Sequence, residues 1–200
     1  GIVSVYNENV VIDGLIKFGY PEEEAREFTN DGCWEAIIPG KTAFIYSPTD
    51  MMQPLFRALK LDRNEPLAYT DFESLYKSFV VELDKDVNNL QTALDNSWQD
   101  HVTPNPLVSM FVEGCIEKGL GYAERGPKYT VNGIHYGGVS DTANSLQVLK
   151  KLVFEERYIE LNDFIDILRK NWEGSEGLRR LVQNRFEFYG NDNAESDEMM

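Results

Sequence analysis

Two hundred residues with 42% hydrophobic and 12% aromatic side chains suffice for one sizeable core and exclude a disordered chain. A net charge of −15 and a pI near 4.5 exclude the cationic face that phosphate binding needs, so nucleic acid is not an expected partner. No apolar run reaches the length of a membrane span, and the opening Gly1-Ile2-Val3-Ser4-Val5-Tyr6 lacks the basic start and cleavage pattern of a signal peptide, so a soluble, cytoplasmic protein without a membrane partner is expected.

Residues 2–18 carry short apolar runs broken by Asn7-Glu8-Asn9, which predicts an extended lead-in and a short helix ending near Gly19. Pro21 suits the first turn of a second helix, and Glu22, Glu23 and Glu24 favour its positive end. That helix is expected to end by Asn30. After it comes Asn30-Asp31-Gly32-Cys33-Trp34-Glu35, then Pro39-Gly40, a turn signal. In an extended backbone Cys33 and Glu35, at i and i+2, share one side while Trp34 packs on the other. The pattern describes a finger-like loop that presents a sulfur and a carboxylate together.

Thr42-Ala43-Phe44-Ile45-Tyr46 has the composition of a short buried strand, with Ser47-Pro48-Thr49-Asp50 as its punctuation. A helix through Met52, Leu55, Phe56 and Leu59 follows, then a surface loop over 62–66. Apolar positions at Phe72, Leu75, Phe79, Leu83, Val87, Leu90, Leu94 and Trp98 recur every three or four residues. They predict a packed amphipathic helix over about 71–100 that opens on a Thr70/Glu73 capping box. Leu107 to Ile116 reads as a buried helix, and Gly119 to Gly138 as a long glycine-rich loop. A helix capped by Ser140 runs through Val153, another covers Phe164 to Leu168, and a third starts after Ser175. Residues 191–200 carry four acids and no base, and a flexible end is expected there.

The chemistry-bearing residues are few. The two cysteines, Cys33 and Cys115, are far apart in an acidic chain; nothing demands a disulfide, although pairing is not forbidden. A lone buried cysteine is most often a small core residue. Cys115-Ile116-Glu117 repeats the C-x-E spacing, but at the end of a helical run i and i+2 face different ways, so it reads as structural. His135 suits a hydrogen-bonded loop or core position better than a catalytic one. With His101 the only other histidine, no metal site is expected. Tyr46 and Ser47, leaving the loop, suit either a pocket wall or ordinary packing.

The Asn30–Glu35 stretch resembles the cysteine loop of glycyl radical enzymes, the pyruvate formate-lyase-like family. Three further stretches resemble that family in the same order: Val5-Tyr6-Asn7-Glu8 with Gly19-Tyr20-Pro21-Glu22-Glu23-Glu24-Ala25, Val112-Glu113-Gly114-Cys115-Ile116-Glu117-Lys118-Gly119, and Tyr189-Gly190-Asn191-Asp192. The resemblance implies an α/β, mostly helical fragment of a ten-stranded α/β barrel, with the cysteine loop projecting into its centre and residues 1–190 forming part of the catalytic domain. It implies that Cys33 carries a thiyl radical that abstracts hydrogen from a small-molecule substrate, that Glu35 transfers a proton, and that Tyr46 and Ser47 line the substrate pocket.

The implied cofactor is a glycyl radical on a glycine outside this chain, installed by an S-adenosylmethionine iron–sulfur activase; none is bound by this segment. The implied partners are that activase, the remainder of the barrel and, for the full enzyme, a second copy in a homodimer. Pyruvate formate-lyase itself has two adjacent cysteines, whereas Trp34 follows Cys33 here, which points to the dehydratase and C–C, C–N or C–S lyase branch. The family's Arg-Val-x-Gly-aromatic motif does not occur in these residues. The segment is therefore expected to be a central slice, inactive by itself. The contrasting expectation is a non-catalytic helical scaffold or binding domain, a degenerate or split remnant of such an enzyme.

Overall fold

The computed structural model describes residues 7–31, 35–96 and 103–200. They group into two compact units, Gly1–Ser47 with Gln91–His135, and Pro48–Leu90 with Tyr136–Met200.

The first unit opens on helix α1 (Glu8–Lys17), capped by the Asn7 side chain, the short helix expected before Gly19. Gly19, at φ +96°, ends it in a conformation that costs glycine little. Helix α2 (Glu22–Ala25) is a single turn rather than a helix to Asn30. The chain then extends into β1 (Thr29–Asn30), which pairs antiparallel with β2 (Ala36–Ile37) in the register Thr29↔Ile37 and Asn30↔Ala36. At the predicted Pro39-Gly40 turn the Thr42 N–H donates to the Ile38 carbonyl (3.1 Å).

Strand β3 (Thr42–Asp50) runs through the residues expected to punctuate it. Among the described residues it pairs with β4 (Tyr129–Gly137) alone. The Tyr129 N–H donates to the Lys41 carbonyl (2.9 Å) and the Met51 N–H to the Gly137 carbonyl (2.9 Å). Both strands therefore advance together. Parallel strands need a long crossover, and residues 51–128 supply it.

Residues 119–128 of the glycine-rich passage read as a loop remain irregular apart from one short turn, while its second half is a strand. Its β-branched and aromatic residues, Tyr129, Val131, Ile134 and Tyr136, fit a pleated surface, and a glycine in its centre disguises it. The buried helix expected from Leu107 to Ile116 is likewise two single turns, α5 (Pro106–Ser109) and α6 (Cys115–Lys118). Gly114 separates them at φ +98°, and a Cβ there would meet the Lys128 nitrogen at 2.7 Å. Leu107, Met110, Phe111 and Ile116 of this run are exposed, while Cys115 is a buried free thiol, as a structural cysteine should be.

Glu24 ties this unit together. Its buried carboxylate accepts from Lys128 Nζ (2.6 Å), the Tyr129 hydroxyl and Lys41 Nζ (3.1 Å). These donors, Lys128 first, hold its pKa down at about 2 against an ordinary 4.5. A depressed carboxylate stabilises the fold above its unfolded pKa, and that contribution is lost as pH falls through the folded value. We expect the amides around Ile38–Thr42 and Lys128–Tyr129 to lose hydrogen-exchange protection, corrected for intrinsic rates, between pH 4.5 and about 2. Glu24→Gln should remove that pH dependence. An identical profile in the variant would dismiss the anchor.

The second unit holds the larger core. Helices α3 (Met52–Ala58), α4 (Phe72–Asn96, whose first nineteen residues lie in this unit) and α7 (Val139–Val148) converge with α8 (Leu161–Arg169) on Leu55, Leu75, Phe79, Leu146, Leu149, Leu152, Phe164 and Ile165. The long amphipathic helix is present, but Asp71 caps it, accepting from the Ser74 N–H (2.8 Å), in place of the Thr70/Glu73 box. Helix α7 starts after Gly138, at φ +69°, rather than at Ser140, and continues as a π-helix over Leu149–Glu155. Helix α9 (Glu176–Arg185) begins after Ser175 as expected. The acidic end, expected to be flexible, forms helix α10 (Ala194–Met199) against α7. Asn193 caps it, Ser196 is buried and Lys151 pairs with Glu195, so the end is held by contacts that its composition does not disclose.

Candidate active site

The β1–β2 hairpin brings together Asp31 and Glu35, which stand on either side of residues 32–34 in the chain. Its last described bond runs from the Asp31 N–H to the Glu35 carbonyl (3.1 Å). Gly32, Cys33 and Trp34 lie outside the described residues, so the shared face expected for Cys33 and Glu35 rests on the sequence.

Glu35 is described. Its side chain is 14% exposed, and Oε1 lies against Nε2 of His135. The other ring nitrogen of His135, Nδ1, is 3.1 Å from the Gly133 carbonyl oxygen. A carbonyl only accepts, so Nδ1 carries a proton. The Nε2–Glu35 contact then has two forms, an imidazolium donating to a carboxylate or a carboxylic acid donating to a neutral imidazole. Both have the same net charge. The Glu35 bond raises the His135 pKa above its ordinary value and outweighs the opposing effect of burial.

The strands hold this imidazole from two sides. The Phe44 ring meets it edge-on at 5.8 Å between centroids, and the Tyr46 ring lies 4.4 Å away at 46°. Phe44 and Tyr46 are two apart on β3 and share a face. Gly133 leaves the room: a Cβ there would stand 2.5 Å from Phe44 Cζ and 2.8 Å from His135 Cε1. The Phe44 N–H donates to the Tyr122 hydroxyl (3.4 Å), which anchors the strand here.

Of the residues singled out in the sequence, the structure brings Glu35 and Tyr46 together around His135. Tyr46 is 59% exposed, so its ring borders open space. Ser47, next along the strand, belongs by alternation to the opposite face. His135 is hydrogen-bonded, as expected, but on a strand and to Glu35, one hundred residues away. The sequence signal for it was Gly133 at i−2 inside a β-prone run, the mark of close approach by another group. Among the described residues no three histidine, cysteine or acidic side chains converge to hold a metal. No helix among them is long and apolar enough to cross a membrane.

A profile of the family described as pyruvate formate lyase-like matches residues 1–200. The chain belongs to that family. It is 27% identical over 221 residues to trans-4-hydroxy-L-proline dehydratase of Clostridioides difficile, covering 100% of this chain and 27% of that protein. It is 27% identical over 217 residues to (2S)-3-sulfopropanediol dehydratase of Klebsiella oxytoca, covering 100% of this chain and 26% of that one. Among solved structures, the glycerol-bound B12-independent glycerol dehydratase of Clostridium butyricum superimposes with a TM-score of 0.84 at 25% identity, over 99% of this chain and 27% of the other. The relatives are glycyl radical dehydratases and lyases, and the fold is that of a segment of their barrel. The chain spans about a quarter of the length of the curated relatives it matches.

Proposed function

We propose that these residues form the central part of a glycyl radical dehydratase or C–C, C–N or C–S lyase acting on a small polar substrate. The observation that carries the proposal is the placement of Glu35. In a family whose relatives include dehydratases and isethionate sulfite-lyases, the C-x-E carboxylate sits at the mouth of a closed hairpin, largely shielded and paired with an imidazole. That is the environment of a group set to move a proton rather than of a solvated surface acid.

In this reading the cysteine loop projects into the centre of a ten-stranded barrel completed by the rest of the enzyme. The glycyl radical, on a glycine outside these residues and installed by an S-adenosylmethionine iron–sulfur activase, supplies the oxidising equivalent. The Cys33 thiyl takes a hydrogen atom from a substrate carbon. Glu35 takes a proton from the hydroxyl on that carbon, and the leaving group departs from the neighbouring carbon with the bonding electrons. The Cys33 thiol returns its hydrogen atom to the product radical, so that the thiyl is regenerated. Tyr46 lines the pocket, and Ser47 stands on the other face of β3. The full enzyme is expected to pair as a homodimer, and the segment alone to be inactive.

The test is Glu35→Gln in the complete, activated enzyme. Glycerol, propane-1,2-diol, trans-4-hydroxy-L-proline and isethionate serve as trial substrates. The variant should form the radical normally and lose about 100-fold or more in kcat. Unaffected turnover would remove Glu35 from the chemistry. A complete enzyme that forms no radical and consumes none of the four would favour a non-catalytic scaffold.

A further inference from the structure

We infer that His135 is a positioning residue for Glu35, holding that carboxylate ionised and aimed before it accepts the substrate's proton. The inference rests on the proton-transfer role assigned to Glu35, and it adds a residue that the C-x-E loop does not contain.

Three observations carry it. The first is the proton inventory. Because Nδ1 is committed to the Gly133 carbonyl, one further proton is shared between Nε2 and Glu35 and the pair is neutral as a whole. The raised affinity of His135 for protons beside Glu35 favours that proton on the imidazole, as an imidazolium facing a carboxylate. A carboxylate paired with a cation in a shielded site stays a base without the penalty of a lone buried charge.

The second is the rigidity of the imidazole. Gly133 supplies both the acceptor for Nδ1 and the space for the ring, while Phe44 and Tyr46 close on it from β3. A ring fixed at one nitrogen and on its flanks has one direction left for Nε2, and Glu35 occupies it. The third is topology. Glu35 stands at the edge of a hairpin loop, the kind of segment most able to wander, whereas His135 is on a strand. The strand lends the loop its precision.

Among the described residues, the titratable groups facing His135 are Glu35 from the hairpin and Tyr46 from β3; Phe44 is apolar and Gly133 contributes only its carbonyl. A pH response of His135 therefore reports on Glu35.

The experiment uses the complete enzyme. Deuterium exchange at the imidazole C2 position, followed by mass spectrometry across pH, reads the His135 titration without substrate. In the wild type its midpoint should lie above the ordinary 6.5, and Glu35→Gln should return it towards that value. A wild-type midpoint at or below 6.5, or one unmoved by Glu35→Gln, overturns the inference.

Activity is read beside it on whichever of the four trial substrates is consumed, with the radical signal as the check of folding and activation. His135→Leu should lower kcat about 100-fold, the usual cost of a misplaced reacting group. His135→Gln keeps a donor but not the charge. It should recover most of kcat while the acid limb of kcat/KM moves up by about one pH unit. If His135→Leu shows the wild-type rate and pH profile while Glu35→Gln is inactive, the inference falls and the Glu35 assignment stands. If Glu35→Gln retains full turnover, it is the Glu35 assignment that falls.

Discussion

Cys33→Ser in the complete enzyme is expected to reduce turnover to background, a loss of about 10⁶-fold or more if the whole rate enhancement depends on the thiyl radical. The substitution exchanges sulfur for oxygen in a side chain of nearly the same shape, so the loop and its packing should change little. The chemistry changes completely. A sulfur–hydrogen bond is weak enough to trade its hydrogen with a carbon-centred radical in both directions, and an oxygen–hydrogen bond is much stronger. In the proposed mechanism serine cannot accept the radical, which is then expected to stay on the glycine. Two readouts are needed together. Product formation should vanish, and the organic radical signal should persist at wild-type yield. Substantial residual product would show that the hydrogen atom is taken elsewhere and would sink the assignment of Cys33.

The largest structural effect is expected at Leu152→Ala. Leu152 is fully buried in the second unit, among Leu75, Ile165 and Phe164, on the π-helical continuation of α7. The substitution removes buried methyl groups and leaves a cavity that the surrounding helices can close only in part. Such changes cost about 3–5 kcal/mol. Leu152→Met keeps the volume and should cost less than about 1.5 kcal/mol. Chemical denaturation, followed by exchange protection along α7 and α8, separates the two. Equal stability of the two variants would mean that this core is not packed as described.

The legibility of the fold in the sequence divides by the range of the interactions. The long helix α4, the helices around α7, α8 and α9, and the turn at Pro39-Gly40 were all legible, because period, capping and turn chemistry operate over a few residues. Failures came where distant chain decided. Gly133 looked like loop punctuation, but it is a strand residue that makes room for the Phe44 and His135 rings. The apolar run from Leu107 looked like one buried helix and is broken at Gly114, where the backbone of Lys128 passes too close for any side chain. The acidic end looked flexible and is docked by Asn193, Ser196 and Lys151. Glu24 looked like an ordinary helix-start acid and proved to be the buried partner of two lysines and a tyrosine.

The candidate site divides in the same way. The sequence by itself showed a thiol and a carboxylate two residues apart in a glycine-bounded loop, and with them the resemblance to the family. Spacing of that kind is local and survives in a string of letters. Only the tertiary structure placed Glu35 and Tyr46 against His135, because the β1–β2 hairpin and the paired strands β3 and β4 bring together residues that are far apart in the chain. An imidazole's role follows from the acceptors around its two nitrogens, and those are decided by the fold.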